Sequence, residues 1–149
     1  MHMEEIDFCW RLKRQGFRVV CEPASHVYHI GGASLKPGSS EKVFLNYRNN
    51  LLALYKNLAP NEWRRVLFSR ILLDAAGMLR SFLLLRPGEA AAVFRAYLAA
   101  QRMKKHFVGE RPKVGEQSVV LPYRGNVVFD YFLLGRRHFS ELPVGKFEK

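Results

Sequence analysis

From Ser39 to Phe107 the chain reads as three helices separated by single prolines, which leaves little sequence from which to build a sheet. Ser39 or Ser40 can cap a helix from Glu41 to Leu58, whose apolar face is Val43, Phe44, Tyr47, Leu51, Leu54, Tyr55 and Leu58. Pro60 breaks the pattern, and Asn61 is placed to cap a second helix that runs to about Leu85. There Leu67, Ile71, Met78, Phe82 and Leu85 fall on one side and Arg70, Asp74, Gly77 and Arg80 on the other. Pro87 opens a third helix to about Phe107, with Val93, Phe94, Tyr97 and Leu98 apolar and Arg95, Arg102 and Lys105 polar.

Before this tract, Glu4 to Gln15 has helical spacing, and Gly16 stands where a left-handed C-cap is wanted. Phe17 to Glu22 alternates and stops at Pro23, as a strand does; His26 to Ile30 reads as a second short strand closed by Gly31 and Gly32. After Phe107, GERPKVGEQS is a loop, and Val127 to Leu134 is a last short helix. Two strands are too few for an independent sheet, so the pattern predicts an α/β fragment, mostly helical, that lacks half a domain on its N-terminal side. A division into residues 1–60 and a basic amphipathic tail over residues 61–149 follows from the same pattern.

With 149 residues and 48% hydrophobic content, the chain is large and apolar enough to build a core. Cys9 and Cys21 read as buried thiols in a reducing compartment and not as a disulfide framework. An acidic N-terminus without a long apolar run does not predict a signal peptide, and no stretch reaches the roughly 18 apolar residues of a membrane span. The net charge of +11 draws the chain toward polyanions or anionic lipid. Residues 1–60 carry 8 basic against 5 acidic side chains and residues 61–149 carry 16 against 8, so the excess belongs mainly to the tail.

Three constellations carry chemistry. Glu4, Glu5 and Asp7 sit in the first helical turn, where the helix dipole favours negative charge, with Arg11 four residues after Asp7. A carboxylate there that faced a cleft would serve as a general base on a hydroxyl; capping and an Asp7–Arg11 ion pair across one turn account equally for the spacing. His26 and His29 fall on opposite faces of a strand, and the cysteines are too widely spaced to complete a zinc site with them. His29, beside the glycine pair, could ligate a metal held mainly by other residues. In NYRNN, Arg48 and Asn49 could reach an anionic group from a helix face or simply be solvated there. The sequence has no Walker-type loop, no GxGxxG, no DxD and no nucleophile elbow.

Taken in order, EEIDFCWRLKRQGFRVVCEPASHVYHIGGAS and NYRNNLLALYKN resemble the C-terminal stretch of the catalytic domain in bacterial family-2 glycosyltransferases. That family commonly has an ED-x-D-L-x-x-R helix, a G-[YF]-x-[VI] strand, a v-x-H-x-x-g-x-S segment and a helix bearing RN. The matching residues here are Glu4, Glu5, Asp7, Phe8 and Arg11; Gly16 to Val19; His29 to Ser34; and Arg48 with Asn49. The resemblance covers residues 1 to about 60 and is looser beyond. It implies the C-terminal portion of a GT-A, Rossmann-like domain, with a two-stranded remnant followed by a helical tail.

It also implies sugar transfer from a nucleotide-sugar donor to a saccharide or lipid-linked acceptor, with inversion, in cell-surface polysaccharide or glycolipid synthesis. By position Glu5 is the base, where the family usually has Asp, with Glu4 and Asp7 as the neighbouring carboxylates. Arg11, Arg48 and Asn49 become substrate-binding candidates. His29 matches a histidine that helps hold the metal or diphosphate, and the complete enzyme would use Mg or Mn. The nucleotide-binding half, with its DxD-like acids, is not in this sequence, so the chain alone is expected to be inactive and to hold no cation. The expected location is cytoplasmic, peripheral on the inner face of the bacterial plasma membrane.

The tail admits two placements: at an anionic membrane surface with its cations toward headgroups, or with its apolar stripe packed on the catalytic domain. Self-association through exposed apolar faces is a further expectation. The alternative functional class is a non-enzymatic basic helical module that binds membrane or nucleic acid. Nucleic acid fits less well, because the charges are spread and most aromatics lie on apolar faces.

Overall fold

The computed structural model describes residues 3–28, 38–113, 123 and 125–147. Of these, 71% are helical, and the single β pairing among them is a bridge between Tyr123 and Phe147. The two expected strands are therefore corrected. Phe17 to Glu22 has no ladder partner among the described residues, and neither do residues 26–28; Ile30 and His29 lie outside them. A strand is stabilised by a neighbour that takes its N–H and C=O groups, and without one the alternating pattern has nothing to fix it. Residues 15–28 are all exposed, and Tyr28 keeps 99% of its accessible surface.

The helices are α1 (Glu4–Arg14), α2 (Ser40–Asn57), α3 (Pro60–Leu83), α4 (Pro87–Met103) and α5 (Val127–Phe132), with a tighter 3₁₀ stretch, Lys104–Glu110, continuing α4. Local chemistry sets most of their ends. Gly16, at φ 85°, closes α1 with its N–H on Lys13 O (3.0 Å), while Phe17 N–H reaches Leu12 O (3.0 Å). This is a Schellman stop that only a residue at ease in the left-handed region gives cheaply. Ser39 Oγ accepts from Lys42 N–H at 3.3 Å and starts α2. Asn61 does not cap α3: Ala59 holds that position, Pro60 is the first helical residue, and the Glu62 carboxylate accepts the Ala59 N–H at 3.1 Å.

Two compact units are present, Met1–Ser118 and Val119–Lys149. The boundary expected near residue 60 falls inside the first, between α2 and α3, which are joined by Arg70–Asn50 and by an edge-on Tyr55–Trp63 contact at 5.4 Å. The centre of this unit is the α2–α4 seam. From α4 come Ala92, Val93, Ala96 and Ala100, a stripe of small side chains that lets the helix approach Leu51 and Leu52 of α2 closely. Trp63, Leu67, Tyr97, Met103 and Phe107 pack around them. Ala96 is 0% exposed, so Ala96→Leu is expected to destabilise the fold by about 1–3 kcal/mol through overpacking, read as a lower urea midpoint at unchanged slope.

Helix α3 does not divide as its sequence predicts: Leu67 and Met78 of the expected apolar side turn inward together with Arg70, Asp74 and Gly77 of the polar side, while Ile71, Phe82 and Leu85 of the apolar side and Arg80 of the polar side are exposed. Its single buried residue is Asp74, whose two carboxylate oxygens share the N–H of Arg70 Nε (2.9 Å each) and accept from the Tyr97 hydroxyl of α4 (2.7 Å). Arg70 Nη1 donates to Asn50 Oδ1 of α2 at 2.9 Å, and its guanidinium lies 5.4 Å from the Tyr47 ring centre. The face turned away from them, with Phe68, Leu72, Leu79, Phe82 and Leu83, is exposed, and only Phe82 of these belongs to the apolar side read from the sequence.

In the second unit, Asn126 Oδ1 accepts from Phe129 N–H (3.1 Å) and caps α5. Asp130 is buried and accepts from the Tyr123 hydroxyl (2.6 Å) and from Arg136. Phe147 packs between the rings of Tyr123 and Phe139. A Cβ on Gly125 would overlap the Tyr123 ring, so that ring position depends on glycine.

Candidate functional site

The three early acids share one helical turn, yet they meet different surroundings. Successive residues on a helix are rotated by about 100°, so Glu4, Glu5 and Asp7 cannot all face one partner. Asp7 is turned onto the end of α2. It accepts from Lys56 Nζ (2.7 Å), Asn57 Nδ2 (2.8 Å) and, across its own turn, Arg11 Nε (3.0 Å). Asn57 is fully buried and spends its second amide hydrogen on Ala53 O (2.9 Å). At the other end of α1, Arg14 Nη1 reaches Lys56 O, Asn57 Oδ1 and Glu110 O at 3.2–3.4 Å. Asp7 and Arg14 together clamp α1 across the C-terminal end of α2.

Burial on its own would raise the Asp7 pKa, but the hydrogen bonds from Lys56 and Asn57 and the charges of Lys56 and Arg11 outweigh it. The net position is below the ordinary carboxylate value of 3.8. A carboxyl depressed on folding contributes stability above its unfolded value, and that contribution is lost as pH falls through the folded value. Amide protons of α1 are therefore expected to lose exchange protection below about pH 4, and Asp7→Asn should flatten that dependence. An acid-insensitive α1 in the parent protein would contradict the clamp.

Glu4 and Glu5 line two separate clefts. Glu4, with Asp7, Asn49, Lys56 and Phe107, borders one of about 330 Å³ between α1, α2 and the end of α4. Glu5 borders an open cleft of about 510 Å³, facing Asn46, Tyr47 and Asn50 of α2 and Arg70 of α3. Glu5 is exposed and takes no hydrogen bond or ion pair from the described residues. Arg70 is fixed in that cleft by Asp74 and Asn50, and Asn50 in turn donates to Met3 Sδ at 3.6 Å.

The remaining candidates are placed elsewhere. Arg11 is held on α1 by Asp7 and lies 5.9 Å from the Phe8 ring centre. Arg48 donates through Nε and Nη2 to Asn49 Oδ1 (3.0 and 2.9 Å). Its guanidinium lies 5.3 Å from the Phe44 ring centre, as does that of Arg95 from α4. Asn49 joins the Glu4 cleft, and Arg48 borders neither. His29 lies outside the described residues.

Among the described residues no three acidic, histidine or cysteine side chains gather as a metal would require. No protein-family model, curated protein or solved structure matches the chain.

Three features lay outside the candidates read from the sequence. Asn46 and Asn50 are four apart on α2, a spacing that puts them on one face, and this could have singled them out above Arg48 and Asn49. Arg70 had an available signal in its spacing from Asp74, but its approach to Glu5 depends on how α3 lies across α2. Arg111 had none. It donates to Tyr55 O (2.9 Å) and Leu58 O (3.2 Å), satisfies carbonyls at the end of α2, and stacks 4.1 Å from the Tyr55 ring centre.

Proposed function

We propose that this chain supplies the acceptor side of an inverting sugar-transfer site, with Glu5 as the general base. The observation that carries the reading is the separation of the three acids: Asp7 is consumed in the clamp, whereas Glu5 is exposed on an open cleft beside Asn46, Asn50 and Arg70. The motif order shared with family-2 glycosyltransferases supports the same residue. In the reaction proposed, Glu5 takes the proton of the acceptor hydroxyl as the acceptor oxygen bonds to the anomeric carbon. The bond from that carbon to the nucleotide diphosphate breaks, and the diphosphate leaves with the electron pair.

The amides of Asn46 and Asn50 and the guanidinium of Arg70 line the same cleft as the carboxylate, and their remaining donors are suited to hold acceptor hydroxyls. Donor binding is assigned to a nucleotide-binding half outside this sequence, and a divalent cation would be held mainly there. The deciding experiment is sugar transfer by the chain joined to that half, comparing parent with Glu5→Gln. Loss of transfer with donor binding retained supports the reading, and undiminished transfer removes Glu5 as the base.

A further inference from the structure

We infer that the outer face of α3 is a docking surface for an anionic lipid bilayer, on which the helix lies parallel to the membrane plane. The inference does not rest on the sugar-transfer reading. Phe68, Leu72, Leu79, Phe82 and Leu83 have relative exposures between 58% and 72%, and they line one side of the helix over about 22 Å at 1.5 Å per residue. The charged residues between Phe68 and Leu79 are Arg70 and Asp74, and both are turned inward onto each other, Asn50 and Tyr97. The face is thus unbroken hydrocarbon. Apolar patches of this kind are rare on monomers without a partner.

Charge identifies the occupant. Exposed Arg64 and Arg65 stand one turn before Phe68, and exposed Arg80 and Arg86 stand beside and beyond the far end of the stripe. Of the nearby acids, Glu62 caps the Ala59 N–H, Asp74 is buried, and Glu89 of α4 pairs with Arg86 at 3.5 Å, so the cations offered to headgroups are Arg64, Arg65 and Arg80. A second copy would bring one surface of a +11 chain against another, with no acidic complement in the stripe. An anionic bilayer accepts both parts, with acyl chains under the phenylalanines and leucines and headgroups around the arginines. No helix among the described residues is long and apolar enough to cross a membrane, so the geometry is that of a helix on the surface.

Co-sedimentation of the full 149-residue chain with vesicles tests this, using phosphatidylcholine alone against phosphatidylcholine with phosphatidylglycerol. Binding to the anionic vesicles is expected to exceed binding to the neutral ones by at least about tenfold, and to fall in high salt. Leu72→Glu with Leu79→Glu should lower binding by about tenfold or more while leaving the helical circular dichroism unchanged, because both side chains are exposed. Should that variant lose its helicity, Arg64→Glu with Arg65→Glu decides, and it is expected to abolish the preference for anionic vesicles. Equal binding to both vesicle types, full binding by either folded variant, or no binding at all overturns the inference. A dimer in sedimentation equilibrium that Leu72→Glu with Leu79→Glu converts to monomer, without lipid binding by the parent, assigns the face to a second copy instead.

Discussion

Asp74→Ala is expected to destabilise the helical bundle by about 3 kcal/mol, among the largest effects of any single truncation in the chain. Asp74 is 7% exposed; its two oxygens share the one N–H of Arg70 Nε, and it accepts a further bond from the Tyr97 hydroxyl. Removing it leaves a partly buried guanidinium with Asn50 as its remaining partner and a tyrosine hydroxyl with none in the network. The upper end of the usual range for a broken buried pair is not reached, because the Arg70 side chain keeps 28% of its surface in contact with solvent. Urea unfolding should show a lower midpoint at unchanged slope. Tyr97→Phe, which removes one neutral donor and leaves the ion pair, should cost about 1 kcal/mol.

A spectroscopic signature separates this network from simple packing. Burial, followed by the hydrogen bond to Asp74 and its charge, raises the Tyr97 hydroxyl well above the ordinary tyrosine value of 10. A group raised on folding adds stability that is complete below its unfolded value and is lost as pH rises beyond it. The parent protein should therefore lose stability above about pH 10, and Tyr97→Phe should reduce that loss. If Asp74→Ala unfolds no more easily than the parent, the inward placement of Arg70 and Asp74 is wrong.

On the sugar-transfer proposal, Glu5→Gln in the chain joined to a nucleotide-binding half is expected to lower transfer by about 10²–10⁴-fold, the usual contribution of a positioned general base. The amide keeps the size and shape of the carboxyl but cannot take a proton. Because Glu5 is exposed and makes no bond to the described residues, thermal stability should stay within about 0.5 kcal/mol of the parent. Asp7→Asn should show the reverse split, with weakened docking of α1 and a smaller loss of transfer. If Asp7→Asn abolishes transfer with α1 still protected from exchange, the base is Asp7 and the clamp has a second role. Each variant thus assigns one acid, which identical placement in a single turn could not do.

Much of the helical layout was legible locally. Ser39, Gly16 and the prolines at 60 and 87 act within a few residues of themselves, through a cap, a left-handed stop and two missing N–H donors, and the helices begin and end near them. Short-range pairing was equally readable, since Asp7 and Arg11 stand one turn apart and do form the ion pair. The strands were misread because alternation records only which side chains could share a face. Whether a ladder forms depends on a neighbouring strand, and the described residues provide none beside Phe17 to Glu22.

The candidate site divides along the same line. Three acids at a helix start, an NYRNN segment and an α3 helix with opposed polar and apolar sides are properties of the sequence alone. Which acid is spent and which is free was decided by Lys56 and Asn57, about fifty residues away, because a carboxylate ringed by three donors is fixed in place. Which side of α3 is buried was decided by other helices: Asn50 and Tyr97 take up Arg70 and Asp74, Leu67 joins the apolar cluster around Leu51 and Leu52, and the stripe from Phe68 to Leu83 is left outside. Periodicity predicts that a helix has two faces; only partners brought from other helices determine which of them turns inward.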